Sequence, residues 1–511
     1  MRIRVLATFG LLAACGGTSA PSSKPNAVAV APRTPEVPIS DPEEYGIDRI
    51  SREAGKAIFE RTGIGDPYRT GIPYPMFLAL LKAYPKTFGS TPGELARRFG
   101  FLARAPDPAS EDLDVREGLP IGMHLTIDPI TNVPFVVTSC VLCHAERVRW
   151  SGGEAVVIGL GNKRVRIHDY DAAFAAITKQ PGFSVQRLGR LADAAAAESK
   201  VTWPEPYRAP LVGATVTGLE KRARDRADLH ARTAANPPGR VATIESFAFV
   251  LGELTGTPVG YAPVVGWAKV PDVIGYGQRT TLSWDGSGEG PLDLLAVEAD
   301  IAAGVRIEWL ERHPFQGASL GAYLRQPAKR PAFPGKIDRG LAERGRVVFE
   351  KHCTDCHGQY TADGRVFDYD ESIIPIEDLG TDPARMMAAT EGFERAANDP
   401  ALTRGYTKFR RSAGYIPPIL TNVWARAPYG HVGQWPSLAV LAIAPEKRPT
   451  KFVTDVDGLY DLAAIGMPWK PAPSQGFVHD ATKPGFSVLG HPFLAELGAE
   501  ATAVIEYLKT L

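Results

Sequence analysis

Cys140-Val141-Leu142-Cys143-His144 and Cys353-Thr354-Asp355-Cys356-His357 are two copies of one five-residue pattern that uses four of the chain's five cysteines. Two thiols three positions apart on one helical turn reach the two vinyl groups of one porphyrin. The adjacent imidazole is then delivered to the iron, which is how a c-type haem is attached. Three other uses of paired cysteines compete. Disulfides suit an exported chain but leave the histidine after each pair unexplained. A four-cysteine zinc site needs the pairs to converge across 209 intervening residues and idles both histidines. A thioredoxin-like pair wants a βαβ context and a single copy. Two covalently attached c-type haems use all six residues, with His144 and His357 as proximal iron ligands.

The surroundings of the two motifs differ. Upstream of Cys353, the spacing of Leu341, Gly345, Val348 and Phe349 predicts a helix running straight into the motif. The chain closes on Leu494, Leu497, Ala501, Val504, Ile505 and Leu508, a second apolar face with Tyr507 beside it. This pair resembles the first and last helices of a cytochrome c domain, which implies that they cross at Gly345. Two ordinary amphipathic helices flanking a loop are the alternative. Pro327, Pro331 and Pro334 mark a boundary before this domain. The first motif follows a long segment with Tyr74, Pro75, Phe77 and Leu78 and is entered through Phe135-Val136-Val137. The expected fold is mainly α, with two c-type haem domains. The N-terminal one, 45–326, is larger and loop-rich, and 327–511 is cytochrome c-like.

Further out, the chain has 511 residues with 57 Lys+Arg against 57 Asp+Glu. That balance, without a basic stripe, excludes nucleic acid and an anionic membrane surface as the main partner. The 51 Gly and 44 Pro are spread between apolar segments and predict ordered loops. Arg2 and Arg4 precede the apolar run Val5 to Ala14, which reads as a signal peptide over 1–14 and is too short to span a membrane. The following Leu12-Ala13-Ala14-Cys15 resembles a bacterial lipobox, so 15–44, rich in proline, is expected to be a lipidated tether. An ordinary signal peptide with an incidental cysteine is the alternative. Covalent haem and lipobox both imply export. The expected location is an envelope lipoprotein facing the periplasm, at the outer membrane, held by its lipid anchor only.

With these residues in place, the chain resembles the bacterial di-haem cytochrome c superfamily of di-haem peroxidases, quinone-cofactor maturation enzymes and rubber oxygenases, and is most similar to the last. The shared stretches are Gly118-Leu119-Pro120-Ile121-Gly122, Pro238-Gly239-Arg240-Val241, Trp284-Asp285-Gly286, Ala427-Pro428-Tyr429-Gly430-His431-Val432-Gly433, Gly490-His491 and Ile505-Glu506-Tyr507-Leu508. The resemblance implies that His491 is the distal ligand of the second haem, with Met467 as the rival. It also implies that His431 stands near that haem, and that Trp284 lies between the haems or is a core residue. It gives the first iron an open face for peroxide or dioxygen. Met123, His124 and His168 follow as nearby packing or solvent residues. Arg166-Ile167-His168-Asp169 could place His168 near the vacancy as a proton donor oriented by Asp169. His230, in a charged stretch, is expected to be solvated, and His313, His352 and His479 carry no usable spacing. Two functions of different class follow. One is a peroxidase-like or oxygenase-like oxidoreductase, whose N-terminal haem activates peroxide or dioxygen and whose C-terminal haem relays electrons. The other is a tethered electron carrier with two saturated haems; a binding protein stapled by haem is a third. Partners are an envelope electron donor or acceptor and peroxide, dioxygen or an apolar small molecule.

Overall fold

Residues 47–273, 275–326 and 331–511 are described by the computed structural model. The expected signal segment, Cys15, the tether and Pro327 lie outside the described residues. The described residues form one compact unit.

The chain enters through α1 (Ile47–Glu60) and a short strand β1 (Ile72–Pro73), then the apolar α2 (Tyr74–Ala83). Strands β2 (Met123–Ile127) and β3 (Pro134–Thr138) complete a three-stranded antiparallel sheet in the order β1-β3-β2. Phe135, Val136 and Val137 are therefore the central strand, buried on both faces. The chain leaves β3 directly into the first cysteine motif. A hairpin of β4 (Ala145–Trp150) and β5 (Gly153–Ile158) follows, in register from Ala145↔Ile158 to Trp150↔Gly153. Helices α3 (Ile167–Ile177), α4 (Val185–Ser199) and α5 (Glu205–Asp225) then wrap α2, with Phe77, Leu80, Phe88, Phe99 and Phe174 in one core. Ser184 caps α4 by accepting from the Arg187 amide at 3.3 Å.

Helices α6 (Leu292–Ala302) and α7 (Gln316–Leu324) close this half. Next come α8 (Arg339–His352), capped by Asp338 on the Leu341 amide at 2.9 Å, and the second cysteine motif. A sheet of β6 (Lys451–Thr454) flanked by β7 (Trp469–Pro471) and β8 (Val478–Asp480) precedes the final helix α9 (Ala501–Leu508). The expectation of a mainly α chain is corrected to a mixed fold: 44% of the described residues are helical and 12% are in strands. The strands went unseen because most are two or three residues long and belong to straps and hairpins without a period-2 pattern.

Two helix crossings have the same construction. A Cβ built on Gly345 of α8 would lie 1.8 Å from the Ala503 carbonyl oxygen of α9, so only glycine permits the contact. Gly55 of α1 meets the Ser319 carbonyl of α7 at the same 1.8 Å. Phe349 packs on Tyr507 with ring centres 5.3 Å apart, and Phe59 packs on Tyr323 at 5.4 Å. The sequences agree: Gly55-Lys56-Ala57-Ile58-Phe59-Glu60 matches Gly345-Arg346-Val347-Val348-Phe349-Glu350, and Tyr323-Leu324-Arg325 matches Tyr507-Leu508-Lys509. This repeat escaped the sequence reading because the first copy is separated from its cysteine motif by the sheet and its loops, whereas the second abuts its own.

Candidate haem sites

Each cysteine motif is one tight turn. At the first, the Cys143 and His144 amides both donate to the Cys140 carbonyl, at 3.2 and 2.9 Å. At the second, the His357 amide donates to the Cys353 carbonyl at 2.9 Å. The turn presents both thiols and the imidazole on one side. None of the four motif cysteines is in a disulfide. Burial pushes the Cys143 thiol up to about 12 and Cys353 up to about 11, with Cys140 and Cys356 also raised. Among the described residues no cluster of His, Cys, Asp and Glu converges as a metal cage, which removes the shared zinc site.

Both motif histidines are oriented in the same way. His144 Nδ1 donates to the Pro271 carbonyl at 3.0 Å, and His357 Nδ1 donates to the Pro418 carbonyl at 2.8 Å. A carbonyl only accepts, so each Nδ1 carries the proton and each Nε2 keeps its lone pair for a metal. The strap that carries Pro271 is seated on the loop after β5: the Gly161 amide donates to Asp272 at 2.9 Å, and a Cβ on Gly161 would lie 2.0 Å from the Val270 carbonyl. Gly122, at φ +89°, brings its backbone against Leu142, where a Cβ would stand 2.3 Å from the amide nitrogen. The Gly118–Gly122 stretch is thus a seat for the first motif.

Across from His357 stands His491, with ring centres 6.2 Å apart. Two imidazoles sharing one metal at about 2.0–2.1 Å per bond put their ring centres about 6 Å apart, so the pair fits an iron between them. His491 sits at φ +48°, and its amide donates to Leu379 at 2.8 Å. Its Nδ1 is buried without a partner. Met467 is 2% exposed and belongs to the apolar core that includes Trp424, Tyr429 and Tyr460. Beside His144 the neighbouring ring is Phe59, at 6.2 Å.

Trp284 ties the two histidine straps together. Its Nε1 donates to the Lys269 carbonyl at 2.9 Å, two residues before Pro271, and its own carbonyl accepts from the Ile416 amide at 2.9 Å, two before Pro418. His431 is a second tie: its carbonyl accepts from the Lys269 amide at 2.7 Å, and its ring stacks on Tyr415 at 4.4 Å. Burial pushes the His431 imidazole down to about 4, so it is neutral. Arg240, of the Pro238–Val241 stretch, gives its buried guanidinium to the carbonyls of Pro238, Val432 and Gly433 at 2.6, 2.8 and 3.0 Å.

Other histidines are placed differently from expectation. His168 Nε2 accepts from the Ala242 amide at 2.9 Å, while Asp169 accepts from the Asn236 amide at 3.1 Å. The expected pairing of imidazole with Asp169 is therefore not formed, and burial lowers His168 to about 4. Both partners come from the 236–242 segment, which meets the start of α3. His230, expected to be solvated, is 11% exposed at its side chain and meets Asp171 at 3.1 Å, with Arg226 at 2.9 Å from the same carboxylate. His124, one strand away from the first motif, joins Asp114 (2.7 Å) and Ser139 (3.1 Å), and Ser139 donates to the Glu60 carbonyl at the end of α1. The serine proton is thus committed to Glu60, and the chain is a strut between α1 and the residue before Cys140. Met123 is fully buried in the sheet.

A family profile described as RoxA-like, cytochrome c-like matches residues 414–453. The matched stretch contains Tyr415, Pro418 and His431. The chain is similar to the uncharacterized protein y4iM of Sinorhizobium fredii, 26% identical over 241 residues that cover 42% of this chain and 52% of that protein. It is also similar to the uncharacterized protein y4iJ of the same organism, 25% identical over 251 residues that cover 37% of this chain and 41% of that one. The chain spans about half, or less, of the length of these relatives. The profile match supports a relationship to the di-haem cytochromes c of rubber-oxygenase type, and with it a c-type cytochrome carrying covalent haem at its C-terminal part.

Proposed function

We propose that this chain is an exported di-haem c-type oxidoreductase, reactive at the first motif and electron-relaying at the second. The observation that carries the reading is an asymmetry between two otherwise matching sites. His357 faces a second imidazole at iron-sharing distance, whereas among the described residues no imidazole is in ring contact with His144, whose ring neighbour Phe59 is the counterpart of Phe349. A c-type haem transfers single electrons when both axial positions are filled, and binds peroxide or dioxygen when one is open. Cys140, Cys143 and His144 would hold the first haem, and Cys353, Cys356, His357 and His491 would hold the second. The paired crossings at Gly55 and Gly345 support two cytochrome c-like halves. Trp284, bonded to both histidine straps, keeps the two groups in fixed relation. Substrates are peroxide, dioxygen or an apolar small molecule, and an envelope redox protein supplies or takes electrons.

The test is an optical and EPR spectrum of the purified protein with and without peroxide, followed by two variants. His144→Gly should abolish peroxide reduction or oxygenation, and His357→Gly should only slow re-reduction. A first haem that is low-spin and unresponsive to cyanide and peroxide in both oxidation states would leave the electron-carrier function instead. Placement at the periplasmic face through lipidated Cys15 belongs to the same proposal. Cys15→Ser should release the protein from membranes, and continued retention would remove the anchor.

A further inference from the structure

Arg385 is 1% exposed and lies in the short helical turn Ala384–Met387. Its Nε and Nη1 have no hydrogen-bond partner, and its Nη2 stands 3.5 Å from Asp285, itself 1% exposed. Asp285 also accepts from Ser287 at 3.0 Å. A guanidinium carries five N–H donors and cannot shed its charge. Burying it with two of its three nitrogens unpaired is costly, so the fold holds it for an acceptor that is not protein.

The surroundings say which acceptor. Six residues before Arg385, Leu379 accepts the His491 amide at 2.8 Å, and Thr381 packs against Gly490, where a Cβ would stand 2.7 Å away. The Asp382 carbonyl accepts from the Tyr415 hydroxyl at 2.7 Å, and Tyr415 precedes Pro418, the partner of His357, by three positions. Arg385 is therefore framed by the strap behind His357 and the segment behind His491, with Asp285 next to Trp284. These segments hold His357 and His491, and Asp285, the residue after Trp284, joins Arg385 to them.

We infer that Arg385 seats a propionate carboxylate of the haem carried by Cys353, Cys356 and His357. This rests on the proposed function, since it requires a haem at that motif. A charge-assisted N–H···O pair there neutralises the propionate within a dry environment and favours the reduced, less positive iron.

The experiment uses the full-length holoprotein and its Arg385→Gln and Arg385→Lys variants. Covalent haem count, spin state, the potential of each haem by spectroelectrochemical titration, and the propionate-bending bands in resonance Raman are read together. Arg385→Gln should move the low-spin haem to lower potential and shift its propionate band, leaving the other haem and the haem count unchanged. Arg385→Lys should show a smaller shift of the same sign, and it carries the test if the glutamine variant does not fold. An unchanged low-spin potential and propionate band with both haems present, or a shift confined to the other haem, overturns the inference and leaves the proposed function standing. A wild-type protein with only one covalent haem, or with no low-spin centre, fails the proposed function itself, and the inference falls with it.

Discussion

His357 and His491 differ in what holds each ring. His357 Nδ1 is bonded to Pro418, while His491 Nδ1 has no partner and the ring is positioned by its backbone at φ +48° and by Trp435 and Phe493, at ring-centre distances of 5.9 and 5.2 Å. His491→Ala should convert a low-spin signal to high-spin in EPR while the covalent haem count stays the same; a low-spin signal that survives would reassign the ligand, with Met467 the next candidate. Buried titratable groups set opposing pH dependences. Burial lowers His479 to about 3 in the folded chain, against about 6.5 unfolded. Between those values the unfolded state binds the extra proton, so this residue's share of stability is lost as pH falls below about 6.5. Glu298, raised to about 8 by burial, binds its proton in the folded state and costs stability as pH rises from about 4.5 to 8. His479→Gln should flatten the acid side of a melting-temperature profile. The stability of Glu298→Gln relative to wild type should grow towards alkaline pH, each effect being at most about 1.4 kcal/mol per pH unit.

At the scale of elements, the two glycine crossings are the most sensitive points. Gly345→Ala places a methyl 1.8 Å from the Ala503 carbonyl, and Gly55→Ala does the same against Ser319. Backbone must move in both, at about 1–3 kcal/mol or more. Gly218 of α5 has open space around its Cβ position, so Gly218→Ala should be neutral or stabilise by about 0.5–1 kcal/mol through helix propensity. Chemical denaturation of the three variants checks the contrast, and equal losses would mean that the crossings do not bear on stability. Matching losses at Gly55 and Gly345 would support the paired-halves reading.

For the whole molecule, one link between the halves is Trp284, whose side chain and carbonyl each hold one histidine strap. Trp284→Phe keeps the ring but removes the bond to Lys269. It should slow electron equilibration between the sites in stopped-flow reduction without changing haem count, and an unchanged rate would reduce Trp284 to a packing residue. The two Cys-x-x-Cys-His motifs were legible in the sequence because their information is local, in thiol spacing and an adjacent imidazole; the α8 to α9 crossing was legible only through the resemblance of its two helices to those of a cytochrome c domain. The rest depends on partners brought together by topology. Pro271 lies 127 residues from His144, Pro418 lies 61 from His357, and His168 takes its partner from 74 residues away. Any carbonyl or amide can fill those places, so no residue type announces them. The Gly55 crossing had a sequence signal, the repeated Gly-x-x-x-Phe-Glu, which was masked by the inserted sheet. The sequence by itself determined which side chains can carry the covalent chemistry, because that chemistry is written in residue type and spacing. Only the tertiary structure decided which nitrogen the two motif histidines offer, what stands near them and what joins the two sites, because backbone hydrogen bonds and packing are set by where distant segments come to rest.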